Sequence, residues 1–463
     1  MRKQKMNSAG QIRTGKLLNA VLAVLLILLF VQCAVYMARF TEIRRTSSEV
    51  PFDMRMLSAS SEGNTSLDAA LLAPEAIVIR TGGGTHALFH SAAVMEEIYG
   101  VVNECLRDSL AGEPIPVSSG QWKNAAEGNG VLVQYSSELP YEIIAAFASA
   151  REEEKNLPRR GDVYVGVREL LLCPDDTGKL QEVLVRGSSG TFLFSAQTER
   201  NFTDFTVYPT VYSEVFCRAE LADTGERMVL TALDALSARA VHAARSVTSL
   251  LTTNSEFLRI MNFNPDKLNY HSEPNGNVVY VESHGILRTG ADEVTYQAAD
   301  SGGIDIASFG SANRDIYAYL QAASRLIDRL ERISVQYTGG DAALRLEKVS
   351  SDGSSITLHF SFRCDNILLV REGEDDGLIL TFAENKLTYV RYRMCIVRRT
   401  LEENRIPLMG WYRKMLDGTE NDPMRLVYDA AENVNSVVAQ WMRGESGTRE
   451  EGSEPSWDGQ SLK

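Results

Sequence analysis

His86 and His90 are four residues apart. That spacing sets two imidazoles on one face of a helix for a metal ion, with Glu96 or Glu97 as a possible third ligand. No Glu follows His86 directly, and His90 precedes the amphipathic pattern that opens at Ala92. A surface pair is therefore expected, and no metal ligand is assigned. Arg80-Thr81-Gly82-Gly83-Gly84-Thr85 lies between a strand pattern and a helix pattern, the setting of a phosphate loop. It lacks both the Gly-Lys-Ser/Thr ending and G-x-G-x-x-G, so a flexible turn is expected. Glu372, Glu374, Asp376 and Gly377 fall at positions 1, 3, 5 and 6 of a calcium-loop register. Position 12 is then Ala383, where a bidentate Glu is required, so an acidic hairpin turn is expected instead. No G-x-S-x-G elbow occurs, and no Ser-x-x-Lys with a supporting Lys-Thr-Gly. Five of the 6 cysteines (105, 173, 217, 364, 395) follow the apolar run near the N-terminus, with no C-x-x-C among them. An odd number allows at most two pairs, and mostly buried free thiols are expected. The expected catalytic residues, metal ligands and cofactors are none, and weight shifts to a protein that acts by contact rather than as an enzyme.

The chain that would position such contacts has 463 residues, 44% hydrophobic and 23% charged. At about 150 residues per domain this suggests roughly three domains. The formal charge is −14, from 61 acidic against 47 basic residues, which argues against nucleic acid as a partner. Residues 1–16 carry Arg2, Lys3, Lys5, Arg13 and Lys16 and no acid; residues 17–37 carry no charge. The cationic tip is thus +5, and −14 overall leaves −19 on residues 38–463.

Leu17 to Met37 reads LLNAVLAVLLILLFVQCAVYM. At ~1.5 Å per residue it reaches about 31 Å, the thickness of a hydrocarbon core. The five preceding cations put the N-terminus in the cytoplasm and the acidic body outside. A cleaved signal peptide would have a shorter apolar region ending in small residues. This run leaves through Val35-Tyr36-Met37, and Phe30-Val31-Gln32 precede Cys33, so an uncleaved anchor is expected. At ~100° per residue, Asn19, Ala23, Phe30, Cys33, Ala34 and Met37 share one face, and Gln32 points the other way. Small and weakly polar residues on one face allow close helix–helix approach in lipid, so this is the candidate partner face. The alternative is a span in which Ala is merely common and Asn19 sits near the headgroups.

The expected fold class is α+β: one N-terminal transmembrane helix, then about three extracytoplasmic domains with antiparallel sheets and packed helices. The expected order is a cytoplasmic basic tip at 1–16, the membrane helix at 17–37 and a Ser/Thr/Glu-rich tether at 38–73. A first α+β region with a strand meander covers 74–225, and a middle α+β domain covers 226–335. A C-terminal domain covers 336–443, and a compositionally disordered tail covers 444–463. Strands are expected at 75–80, 131–135 and in DVYVGVRELLLC, EVLVRG and TFLFSA; helices at 92–110, from Pro140 through Phe147, and about 311–334. Helical spacing is also read over 234–261 and about 424–442. Five strand candidates run from LRLEKV to KLTYVRYRMCIVRR.

Several stretches together resemble the YycH family, extracytoplasmic regulators anchored by one N-terminal helix. They are Pro74-Glu75-Ala76-Ile77-Val78-Ile79, Ser119-Gly120-Gln121-Trp122, and VLVQYSSELPYEIIAAF at 131–147. They continue with FLRIMNFNPDKLNYHSEPNGNVVYVESHGILRTGADEVTYQ at 257–297 and SFRCDNILLVREGEDDGLILTFAENKLTYVRYRM near the end. The last of these also resembles YycI, a smaller partner family. The resemblance implies no enzyme active site. It implies a role beside a cell-wall sensor histidine kinase of the WalK type, in association with that kinase and a YycI-like protein at the membrane. The Ser-rich tether, the GGG turn and the acidic tail depart from the family pattern and leave the sign of regulation open. Two function classes stand: a contact regulator of a membrane kinase, or an anchored envelope protein that binds wall polymer or a scaffold, unconnected to signalling.

Overall fold

The computed structural model describes residues 71–443, except 82–83, 89–91, 111, 149–164, 196–199, 207–212, 219–228, 233–236, 246–254, 267–268, 291–292, 300–301, 310–315, 339–340, 353, 372–374, 407–423 and 431–435. Residues 64–463 form one compact unit. The candidate membrane-helix residues Asn19, Ala23, Phe30, Cys33, Ala34 and Met37 lie outside the described residues. Among the described residues no helix is long and apolar enough to cross a membrane.

The first sheet uses nine strands in chain order. They are β1 (Ala76–Thr81), β2 (Gly84–Leu88), β3 (Ile115–Val117), β4 (Gly130–Pro140), β5 (Gly166–Pro174), β6 (Leu180–Gly187), β7 (Gly190–Ser195), β8 (Ser213–Arg218) and β9 (Val229–Ala232). Their spatial order is β3-β7-β6-β5-β4-β1-β2-β8-β9. The β5-β6-β7 meander is the one the turn signals mark out. The GGG run joins β1 to β2 across a Thr81–Gly84 pair, so it lies in a hairpin and not between a strand and a helix. Three helices accompany this sheet: α1 (Ala92–Ser109), α2 (Ser119–Glu127) and α3 (Tyr141–Ala148). On α1, Ile98, Val102, Cys105 and Leu106 recur at helical spacing and are buried. On α3, Tyr141 and every residue from Ile143 to Ala148 are buried, as expected of a helix apolar on all sides.

The strand β10 (Ser237–Arg245) occupies part of the stretch whose spacing reads as helical. Only α4 (Ser255–Ile260) is helical in the rest of that stretch among the described residues. Leu236, Val241 and Val247 mimic a helical period, but Ala238, Ala240 and Val241 are buried together against a partner strand from far along the chain.

The large sheet contains β11 (Tyr270–Ser272), β12 (Val278–Glu282), β13 (Gly285–Thr289), β14 (Val294–Ala298) and β15 (Ile304–Asp305). After α5 (Ile316–Thr338) it continues with β16 (Ala343–Ser351), β17 (Ser355–Cys364), β18 (Ile367–Val370), β19 (Asp376–Ala383) and β20 (Lys386–Tyr392). The strand β21 (Cys395–Arg405) leaves the sheet to pair with β10, and β22 (Met424–Asp429) and β23 (Ala439–Arg443) complete it. The stretch 424–442 is therefore strand-bearing, not helical. The chain path is β11-β12-β13-β14-β20-β19-β17-β18-β22-β23, with β16 on β17 and β15 on β20. The regions read as middle and C-terminal domains thus share one sheet through the β14–β20 ladder.

Every ladder among the described strands is antiparallel except β18–β22. Two tight hairpins use left-handed backbone at both central residues: Asp365-Asn366 and Glu384-Asn385, with φ between 49° and 65°. Asn and Asp tolerate that conformation better than other non-Gly residues. The helix α5 buries Tyr319, Ala323, Leu326, Ile327, Leu330 and Ile333, and Tyr319 stacks on Phe382 of β19 at 5.1 Å. One buried apolar cluster runs from Leu71 to Trp441. Leu71 and Leu72, at the end of the stretch read as a tether, already belong to it.

Candidate functional site

The sequence motifs singled out for chemistry do not converge. His86 lies on β2, opposite Ile79 and Glu214, so the helical metal pairing does not form; His90 lies outside the described residues. Asp376 and Gly377 belong to β19, and β18 and β19 each pair with β17 rather than with one another. The acidic run therefore connects two strands on a shared neighbour and not the two arms of a simple hairpin; Glu372 and Glu374 lie outside the described residues. Asp376 accepts from, or pairs with, His359 at 3.1 Å. Among the described residues no three His, Cys, Asp or Glu side chains gather as a metal site. Cys105, Cys173, Cys364 and Cys395 are buried free thiols, as the cysteine count leads one to expect.

Two polar constructions inside the apolar core replace those motifs. The first is a ladder across the first sheet. Gln134, Glu169 and Arg186 stand opposite one another on β4, β5 and β6. Gln134 Nε2 donates to Glu169 Oε1 at 2.7 Å, and Arg186 Nε donates to Glu169 Oε2 at 2.8 Å. All three are buried. The Arg186 guanidinium lies over the Trp122 ring at 4.9 Å. Trp122 is delivered by α2, whose first turn is closed by a capping box between Ser118 and Gln121. A buried charge without a partner is costly, so the ladder must be complete to be tolerated.

The second construction joins the two large sheets. The Glu347 carboxylate on β16 accepts from Arg363 Nε of β17 at 2.6 Å and from the hydroxyl of Ser136 on β4. The Ser137 hydroxyl donates to the Glu347 carbonyl. Arg425 of β22 lies 3.4 Å from Glu75, 3.8 Å from Glu347 and 3.5 Å from Asp375. Burial alone would lower the Arg425 pKa; Glu75, Glu347 and Asp375 overcome that and raise it. Asn366, in the β17–β18 turn, donates to the Pro74 carbonyl at 3.2 Å. Arg363 Nη1 in turn donates to the Asn366 carbonyl at 2.9 Å.

Beside this seam is a cleft of about 450 Å³. Its walls are α1, residues 72–74, the end of α3, the start of β16, the β17–β18 turn and Arg399 of β21. Arg399 is held by Asp365 at 2.9 Å and Asp341 at 3.3 Å, and these carboxylates raise its pKa, Asp365 foremost. Arg345 pairs with Glu96 at 3.2 Å. Tyr99 and Tyr135 share a buried hydrogen bond of 2.9 Å, and burial raises both phenol pKa values. Asn103 and Arg363 line the cleft, and their Oδ1 and Nη2 atoms are fully buried without a hydrogen-bond partner. Each such atom costs about 1–3 kcal/mol. Sequence reasoning did not find this cleft, because its walls come from segments nearly three hundred residues apart.

No family model matches the chain, and no curated protein matches it. Among solved structures, the crystal structure of YycH from Bacillus subtilis superposes with a TM-score of 0.52 at 11% identity, covering 81% of this chain and 95% of that one. The chain has a YycH-like fold. A protein from Eubacterium rectale ATCC 33656 gives a TM-score of 0.30 at 12% identity, over 44% of this chain and 76% of that one. The stretches that carry the sequence resemblance to YycH fall on structural joints. The Ser-Gly-Gln-Trp stretch forms α2 and the Trp122–Arg186 contact. VLVQYSSELP forms β4, which supplies Gln134 to the ladder and Ser136 and Ser137 to the seam. Arg363 and Asn366 of the FRCDN stretch close the seam from the other sheet. Phe263 of the Phe-Asn-Pro segment packs on His284 and Tyr296, with centroids at 4.6 and 6.2 Å.

Proposed function

We propose that this protein is a membrane-anchored extracytoplasmic accessory protein that modulates a cell-wall sensor histidine kinase by protein–protein contact. The supporting observation is the YycH-like fold over most of the chain, together with the YycH resemblance of its joint-forming segments. In this reading Leu17–Met37 is an uncleaved single-pass anchor with the N-terminus in the cytoplasm. The acidic body stands outside, beside a kinase of the WalK type and a YycI-like protein. The protein itself is not an enzyme and takes no cofactor. Its output is a change in the kinase's equilibrium between two states, which requires contacts that differ between those states.

The test is crosslinking of the full-length protein in intact membranes, followed by affinity capture and mass spectrometry. Recovery of a sensor histidine kinase, with altered output of its target genes when the protein is removed, is the expected result. Recovery of wall polymer or scaffold proteins with unchanged kinase output would assign the protein to envelope binding instead.

A further inference from the structure

The helix α5 carries Arg325, Arg329 and Arg332 at helical spacing, so they share one side of it. Arg332 is closed by Asp328 at 2.6 Å. The other two converge on Phe309, the last residue of the short 3-10 turn Ile306–Phe309 that follows β15. Arg325 Nη1 donates to the Phe309 carbonyl, and the Arg329 guanidinium lies over the Phe309 ring at 5.6 Å. Among the described residues neither arginine has another hydrogen bond or an ion pair. None of their nitrogens is sealed from solvent without a partner. Nε and Nη2 of Arg325 and all three side-chain nitrogens of Arg329 are therefore open donors.

The arrangement is unfavourable for the protein alone. Both arginines are half-buried. Burial lowers the pKa of each, and Arg325 and Arg332 lower that of Arg329 further. Asp328 opposes the shift, but Arg332 already holds that carboxylate. A charged side chain drawn into a protein surface is normally paired. Acids are in excess here, 61 against 47 basic residues, yet none pairs with Arg325 or Arg329. A solvated row of arginines would stand clear of the surface, whereas these two are pinned to one residue.

We propose that Arg325 and Arg329 bind one phosphate group between them, as inorganic phosphate or as the phosphate ester of a small molecule. Phosphate has enough oxygens to accept from two guanidinium forks, whereas a carboxylate is filled by one. Its charge also offsets the repulsion between the two cations. Arginine suits this role, because its planar fork matches phosphate oxygens and is weakly hydrated. The carbonyl and ring of Phe309 hold both forks before the ligand arrives, which reduces the ordering cost of binding. The proposal does not rest on kinase regulation, and its test involves no kinase.

The test uses the full-length chain in micelles of a maltoside detergent, which carries no phosphate. Inorganic phosphate, glycerol phosphate and acetate are titrated separately by calorimetry. Saturable binding of phosphate or glycerol phosphate at millimolar concentration or below is expected, with acetate at least tenfold weaker. Equal affinity for the two phosphates means that the group itself is read; tighter binding of glycerol phosphate means that it is read as an ester. Arg325→Gln and Arg329→Gln should each weaken binding about tenfold or more, the effect of a lost charged hydrogen bond. Arg329→Lys should recover only part of that loss, and Lys348→Gln should change nothing. Phenylglyoxal labelling read by mass spectrometry needs no variant. Phosphate should protect Arg325 and Arg329 of the unaltered chain and leave the exposed Arg288 reactive. The proposal is overturned if neither phosphate binds, if acetate binds as tightly, or if normally melting Gln variants bind as the unaltered chain does. Should those variants melt early, the labelling decides, and unprotected Arg325 and Arg329 overturn the proposal.

Discussion

The guanidinium of Arg186 lies 4.9 Å from the centre of the Trp122 ring, and the same group holds the buried carboxylate of Glu169. The aromatic face and the carboxylate together replace the water that the cation has lost. Arg186→Met leaves Glu169 buried without its cation and should cost about 3–5 kcal/mol in urea unfolding. Replacing Arg186, Glu169 and Gln134 together with apolar residues of similar volume should recover most of that loss. Equal losses in the single and triple variants would show that the three side chains act separately.

The seam predicts a contrast between buried and exposed ion pairs. Glu347→Leu leaves Arg363 and Arg425 without their shared carboxylate and should destabilise by about 3–5 kcal/mol. Arg332→Ala removes an exposed pair with Asp328 on α5 and should change stability by less than about 0.5 kcal/mol. Chemical denaturation of both variants at one pH distinguishes the two.

Alkali should weaken the fold in a definable window. Burial pushes the Cys173 and Cys364 thiols up from 9.0 to about 12, and Cys395 to about 11. Folded thiols therefore hold protons that the unfolded chain releases. Their stabilising effect is complete below pH 9 and is lost as pH rises from about 9 to about 12. Buried Tyr99, Tyr135 and Tyr392 shift in the same direction and extend the loss upward. Melting temperature should fall steadily above pH 9. At pH 8, alkylation of these cysteines should await unfolding; rapid labelling of the native chain would contradict their burial.

If Leu17–Met37 carries the regulatory contact, its two faces should differ. Leu at Ala23 and Ala34 should block close helix approach and change target-gene output, while Leu at Gln32 should not. Output measured at equal protein level reads both. Equal responses from both faces would leave the helix as an anchor only.

Gly100→Ala should stabilise the chain by about 0.5–1 kcal/mol, because the site is helical and its surroundings are open. A loss of stability in thermal or urea unfolding would mean that α1 is closed at this point.

Local signals in the sequence were enough for much of the fold. Pro140 ahead of Tyr141, the PDDTGK and SSG turns and the Ile316-to-Leu330 stripe mark α3, the β5–β7 meander and α5. The errors came where neighbours override period. The stretches 237–245 and 424–429 are strands because β21 and β18 wait to pair with them, and nothing local reveals those partners. The polar ladder left a trace: VLVQY and VLVRG each place one polar residue inside an apolar run, and VRELLL places Arg168 and Glu169 beside one. Three such strands imply a buried row of polar partners. The seam left no local trace, since Ser136 and Glu347 are 211 residues apart and Asn366 and Pro74 are 292 apart.

The strand β1 has β4 on one side and β2 on the other, so the chain arriving from residue 74 runs directly into the interior of a sheet. Pro74 and Glu75, just ahead of the strand, are also held by Asn366 and Arg425 from the other sheet. A tug along the chain from its N-terminal side cannot peel away a free margin one hydrogen bond at a time. It strains two ladders and the ionic seam together, so tension arriving there is divided between both sheets at once. Mechanically, the chain is gripped inside a sheet and not at its edge.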